Sequence, residues 1–108
     1  MKAEELMIGD WVYYGNAQVR VLQLSEGAEY KQVAPIHITP EIIEKNGFVP
    51  YEEDGESFHG DDCVFLKQSL GGYGVCVDKN RTISGLFHYV HELQHAFRLA
   101  GIEKEIIL

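Results

Sequence analysis

The chain has 108 residues, with 9 Lys and Arg against 17 Asp and Glu and a net charge of −8 when its 5 histidines are neutral. That length suits one domain over 1–108, able to bury a core without disulfides or metal. The scattered basic residues argue against nucleic acid as a partner, and no apolar run approaches the ~20 residues of a membrane span.

The opening Met1-Lys2-Ala3-Glu4-Glu5 is acidic and lacks the apolar segment of a secretory leader, so the expected location is the cytoplasm. In that reducing compartment Cys63 and Cys76 are expected to be buried free thiols.

Trp11-Val12-Tyr13-Tyr14 is aromatic and β-branched and reads as a strand. Gly15-Asn16 marks a turn, and residues 18–24 alternate polar and apolar as a second strand. A third is expected over 30–38, interrupted at Pro35, which cannot donate to a ladder. Thr39 then caps a short helix with Pro40 in its first position and Gly47 as its stop.

Residues 51–62 carry six carboxylates and read as a solvated loop or hairpin tip; the spacing of an EF-hand calcium loop is absent. Strands are expected over 63–67 and 73–78, joined through Ser69-Leu70-Gly71-Gly72, and 82–86 reads as a last strand or the lead into the final helix. The last helix is expected from Leu86 or His88 to Ala100, stopped by Gly101, with Leu86, Val90, Leu93, Phe97 and Ala100 on one apolar stripe. Ile102 is placed to touch Phe97 across the glycine stop. The tail Glu105-Ile106-Ile107-Leu108 is apolar enough to dock as an edge strand.

The one segment able to carry chemistry is His91-Glu92-Leu93-Gln94-His95, the HExxH pattern of zinc metalloproteases. On a helix His91 and His95 lie one turn apart and can share a zinc ion, with Glu92 as general base on the bound water. A catalytic zinc wants a third ligand. The extended metzincin pattern would place glycine at 98 and histidine at 101, where this chain has Arg98 and Gly101. Glu103, swinging back through the turn, is the alternative ligand. His88, at i−3 from His91, extends the row into a non-catalytic metal or pH-sensing face. The plain reading is a polar helix face, with Glu92 pairing to His88 or His95.

Residues 1–12, Thr39-Pro40-Glu41-Ile42-Ile43-Glu44-Lys45-Asn46-Gly47-Phe48 and Tyr89-Val90-His91-Glu92-Leu93-Gln94 resemble a family of small uncharacterised proteins from gut Bacteroidetes and their phages and mobile elements. The resemblance covers both ends and the middle helix. That family commonly has Asn at the position of His95 and either Gln or Glu at that of Glu92. It therefore implies that the Leu93-Gln94 register matters more than zinc chemistry.

The expectation is an α+β fold: a curved antiparallel sheet or partial SH3-like barrel, with a short middle helix and a C-terminal amphipathic helix packed on it. Functionally it is a small non-catalytic accessory or interaction domain, without catalytic residues or cofactor, whose partner is another protein or a second copy. An exposed pair among Trp11, Tyr13 and Tyr14 would mark the binding surface. The alternative is a minimal zinc hydrolase using His91, His95, Glu103 and Glu92.

Overall fold

The computed structural model describes residues 1–50, 57–60, 64–77 and 81–108. The fold is α+β, with two antiparallel sheets and two α-helices. The strands β1 (Trp11–Tyr14), β2 (Ala17–Arg20) and β3 (Val33–Ala34) form a sheet in the order β2-β1-β3. Helix α1 (Pro40–Lys45) follows. Then β4 (Val49–Pro50), β5 (Ser57–His59), β6 (Val64–Ser69), β7 (Gly72–Val77) and β8 (Arg81–Phe87) form a meander. Helix α2 (Val90–Leu99) closes the fold. The antiparallel strands expected in one curved sheet thus divide into two, and neither closes into a barrel.

The β1–β2 hairpin turns through Gly15-Asn16, with Gly15 in the left-handed region at φ 61°. β2 is shorter than its alternation suggested. Beyond Arg20 the chain keeps one pairing in each direction, Gly9 N–H to Val21 O and Val21 N–H to Asp10 O, then leaves Leu22 exposed. The third strand survives only as β3, because Pro35 interrupts it. Past Pro35, residues 36–38 pair instead with 88–90: Val90 N–H donates to Ile36 O and Ile38 N–H to His88 O. This stitch ties the N-terminal half to the start of α2.

Six residues are too few for an isolated helix. α1 is held by the Thr39 hydroxyl, which accepts from Ile42 N–H at 3.3 Å, by Pro40 in its first turn, and by burial of Ile43. Gly47 at φ 88° ends it and delivers Phe48 into the core. β5 lies within the 51–62 segment read as a solvated loop or hairpin tip; it pairs both β4 and β6, with Phe58 turned inward. The carboxylates of 51–56 and 61–62, and Cys63, lie outside the described residues. Cys76 is half-buried rather than buried.

In the β6–β7 hairpin, Leu70 and Gly71 have φ 48° and 78°, as a two-residue mirror-image turn requires.

The sequence stripe started α2 too early. Residues 81–87 are still paired to β7, so the helix opens only after Tyr89, and Leu86 sits on a strand, exposed. Ala100 is the exposed C-cap. The row that enters the core is Val90, Leu93, Ala96 and Phe97, packed with Ile36, Ile43, Phe48, Leu66 and Val75. At the other end, Ile102 N–H donates to Phe97 O and Gly101 N–H to Arg98 O, with Gly101 at φ 73°. This is the two-bond glycine stop expected from the sequence.

The tail forms no strand, yet it docks through side chains. The Trp11 indole N–H donates to Ile106 O at 2.8 Å. The Asn46 carboxamide grips the Ile107 backbone on both sides, donating to its carbonyl and accepting from its N–H, each at 2.7 Å. Ile106 is buried, Lys104 lies over the Phe48 ring at 5.2 Å, and Glu105 pairs with Arg20. No helix among the described residues is long and apolar enough to cross a membrane.

Candidate functional site

The histidine-bearing face of α2 is only partly open to solvent, with His91 buried and His95 half-buried. It packs on the turn Met7–Asp10 that feeds β1. Asp10 is fully buried and organises that turn: its N–H donates to Met7 O, and its Oδ2 accepts from Met7 N–H at 2.8 Å. Gly9, at φ 93°, lets the turn close. A Cβ on it would stand 3.0 Å from the Arg98 guanidinium.

Four polar side chains of the helix, Glu92, Gln94, His95 and Arg98, meet this turn or cap the helix's own end. His95 Nε2 is 2.7 Å from Asp10 Oδ2. A carboxylate has no proton to give, so the ring donates from Nε2. One turn on, Arg98 Nη1 lies 3.8 Å from Asp10 Oδ1, while its Nη2 donates to Ile8 O. Gln94 makes the closest match to backbone geometry. Its Oε1 accepts from Trp11 N–H at 2.8 Å and its Nε2 donates to Gly9 O at 3.0 Å. The side-chain amide thus stands in for a neighbouring strand where β1 begins.

Glu92 is occupied differently from either reading of the sequence. Its Oε1 accepts from the backbone N–H of Tyr89 at 3.1 Å and of His88 at 3.0 Å. It is the third residue of α2, and it satisfies donors that a helix start leaves without partners. It pairs with neither His88 nor His95 as an ion pair. His88 precedes the N-cap, and its ring lies against Gly71 O and Gly72 instead of joining His91. The three-histidine row therefore does not form.

His91 is buried, 6% exposed, and its Nδ1 has no partner among the described residues. Its ring stacks with Tyr89 at 6.0 Å and meets His95 edge-on at 5.6 Å. Burial pushes its pKa below 6.5, and neighbouring His95 pushes the same way. The charges of Asp10, Glu92 and Glu5 pull partly back.

His91, His95 and Glu92 line a cleft of about 450 Å³ together with Tyr89, Glu4 and Glu5. Glu103, the candidate third ligand, lines another cleft of about 420 Å³ with Ile8, Leu22 and Arg98. The described residues hold no cluster of three His, Cys, Asp or Glu side chains spaced to grip a metal ion. The structure brings His91 and His95 together, holds Glu92 in a cap, and puts Glu103 elsewhere.

Sequence reasoning missed Asp10, Gln94 and Asn46. Asp10 had a local signal, a carboxylate directly after glycine, as in turns that bond their own backbone. The two amides had none, because a clasp on distant backbone leaves no spacing in the chain. Of the three aromatics, Trp11 and Tyr13 pack against the core and only Tyr14 is exposed, so no exposed pair forms.

No family model, no curated protein and no solved structure matches this chain.

Proposed function

We propose that the chain is a small cytoplasmic interaction domain without catalysis, and that its HELQH helix is a clamp holding the β1 turn. The observation that carries this reading is the employment of Glu92. A general base must reach a metal-bound water, whereas the Glu92 carboxylate is turned back to the helix start, its Oε1 accepting from two backbone N–H groups. His95 and Gln94 are likewise engaged with the turn. The resemblance to the Bacteroidetes and phage family points the same way, since it stresses the Leu93-Gln94 register and Gln94 is the residue that clasps β1. Exposed Ile8 and Leu22 beside the 420 Å³ cleft give the domain an apolar contact surface for another protein or a second copy.

Protein purified without an affinity tag tests this by its metal content and by three variants. The expected result is no stoichiometric zinc and a melting temperature unmoved by chelator. Glu92→Gln keeps the cap and the stability, while Glu92→Ala loses about 1 kcal/mol. One zinc per chain, lost in His95→Ala, would overturn the reading.

The second reading is a minimal zinc-dependent hydrolase using His91 and His95. The observation on its side is that His91, whose buried Nδ1 has no partner among the described residues, lines one cleft with His95. Its third ligand would have to come from a carboxylate of that cleft, Glu4 or Glu5, and not from Glu103.

A further inference from the structure

The tail is seated by contacts that do not depend on which chain it belongs to. Two are to its backbone: the Trp11 indole to Ile106 O, and the Asn46 carboxamide to both polar groups of Ile107. One is a charge match between Arg20 and Glu105, and one is the burial of Ile106. This is how a groove recognises an extended peptide, with main-chain bonds for affinity and alternate side chains for register.

The connection is short and easily opened. The glycine stop keeps Ile102 on the helix, so Glu103, which is exposed, is the joint between α2 and the tail. Around that joint large apolar side chains stand exposed among the charged ones of Arg20, Arg98, Lys104 and Glu105. Leu99 on the last turn is 86% exposed, Leu22 78% and Ile8 61%. Ile8 and Leu22 are joined to the helix end through Arg98, which bonds Ile8 O, and through the Gly9–Val21 pairing.

We propose that two copies of this chain exchange residues 104–108 reciprocally. Each tail is gripped by Trp11, Asn46 and Arg20 of the other copy, and the crossing joints cover Leu99, Leu22 and Ile8. The proposal names the partner for the interaction-domain reading and rests on it. Every tail contact is conserved in the exchange, so the equilibrium turns on two terms. The newly covered apolar side chains favour it. The net charge of −8 on each copy and the roughly millimolar effective concentration of the tail in its own groove oppose it. The dimer therefore strengthens with protein concentration and with salt.

The test mixes two full-length variants, Arg20→Glu and Glu105→Arg. Alone, each sets like charges against one another in its groove. In the mixed dimer both grooves regain opposite charges. Native mass spectrometry of the equimolar mixture is expected to show the mixed dimer roughly tenfold over either self-dimer. Wild-type dimer is expected to rise with concentration in sedimentation. Ile106→Asp, checked for folding by circular dichroism, is expected to be monomeric.

A wild type that stays monomeric at millimolar concentration would overturn the exchange, as would dimers indifferent to Ile106→Asp and to the charge pairing. Either failure leaves the non-catalytic reading untouched, because that stands on zinc content and the Glu92 variants.

Discussion

Replacing Gln94 by leucine keeps most of the side chain's volume and its helix propensity but deletes the amide. Two backbone groups then lose their partners: Trp11 N–H, bonded at 2.8 Å, and Gly9 C=O, bonded at 3.0 Å. Leaving a buried polar group unsatisfied costs about 1–3 kcal/mol. Gln94 itself is 6% exposed while Trp11 and Gly9 are only half-buried, so water can relieve part of that penalty. The lower half of the range applies to each group, and the expected loss is about 2–4 kcal/mol. For a domain of this size that lowers the melting temperature by roughly 10–20 °C. Urea unfolding followed by tryptophan fluorescence measures it directly, because Trp11 sits at the clasp. Gln94→Glu discriminates further, since it keeps the acceptor for Trp11 N–H but sets an oxygen against Gly9 O. It should lose about as much stability as the leucine variant. If Gln94→Leu unfolds within about 0.5 kcal/mol of wild type, an ordinary surface effect, the clasp does not hold the sheet to the helix and the argument fails.

Three other outcomes follow from the same site and its surroundings. Asp10→Ala strands the Met7 N–H and the His95 ring and should cost about 3–5 kcal/mol; combined with His95→Ala the loss should be sub-additive by about 1 kcal/mol or more, read from chemical denaturation. Because folding lowers the His91 pKa below 6.5, the unfolded chain takes up this proton first. The stabilisation is whole above about pH 6.5 and is lost as the pH falls through that value toward the folded pKa. Melting temperatures measured from neutral to acid pH should fall more steeply in wild type than in His91→Gln, and equal slopes would contradict the assignment. Leu70, 89% exposed at φ 48°, occupies a left-handed position that leucine disfavours. Leu70→Asn should gain about 1 kcal/mol in the same denaturation assay, and no gain would mean the hairpin turn is not the strained element it looks.

What the chain announced locally, it also built. Thr39-Pro40 with Gly47, Gly15-Asn16 and Gly101 are punctuation read within a few residues, and each does its expected work in the structure. The apolar stripe correctly showed which side of α2 enters the core, yet set its start at Leu86 or His88, ahead of Val90. A strand paired to β7 and a helix compete for the residues up to Phe87, and the ladder that decides between them pairs Phe87 with Tyr73, well beyond a helical turn. The HELQH segment shows the same limit at the site. Spacing alone put His91 and His95 on one face, which is true. It could not reveal that Asp10, far away in sequence, would occupy His95, nor that Glu92 would turn back to the helix start. The clasps of Gln94 and Asn46 span 83 and 61 residues and were invisible for that reason.

Asn46 is followed by Gly47, the pair in which a side-chain carboxamide is most easily attacked by the next backbone nitrogen, expelling ammonia through a cyclic imide. With the tail seated, that ring closure is blocked. The carboxamide is fixed by Ile42 O and by both polar groups of Ile107, and Gly47 N–H is engaged with Glu44 O. Once the tail lets go, the clock starts. Water opens the imide to aspartate or isoaspartate, and an oxygen then faces the carbonyls that Nδ2 had served. The tail cannot reseat on a clasp altered in this way. The same hydrogen bonds that hold the chain's end thus set its shelf life, and a slow, irreversible gain of mass at residue 46 keeps a record of every time the end has been open.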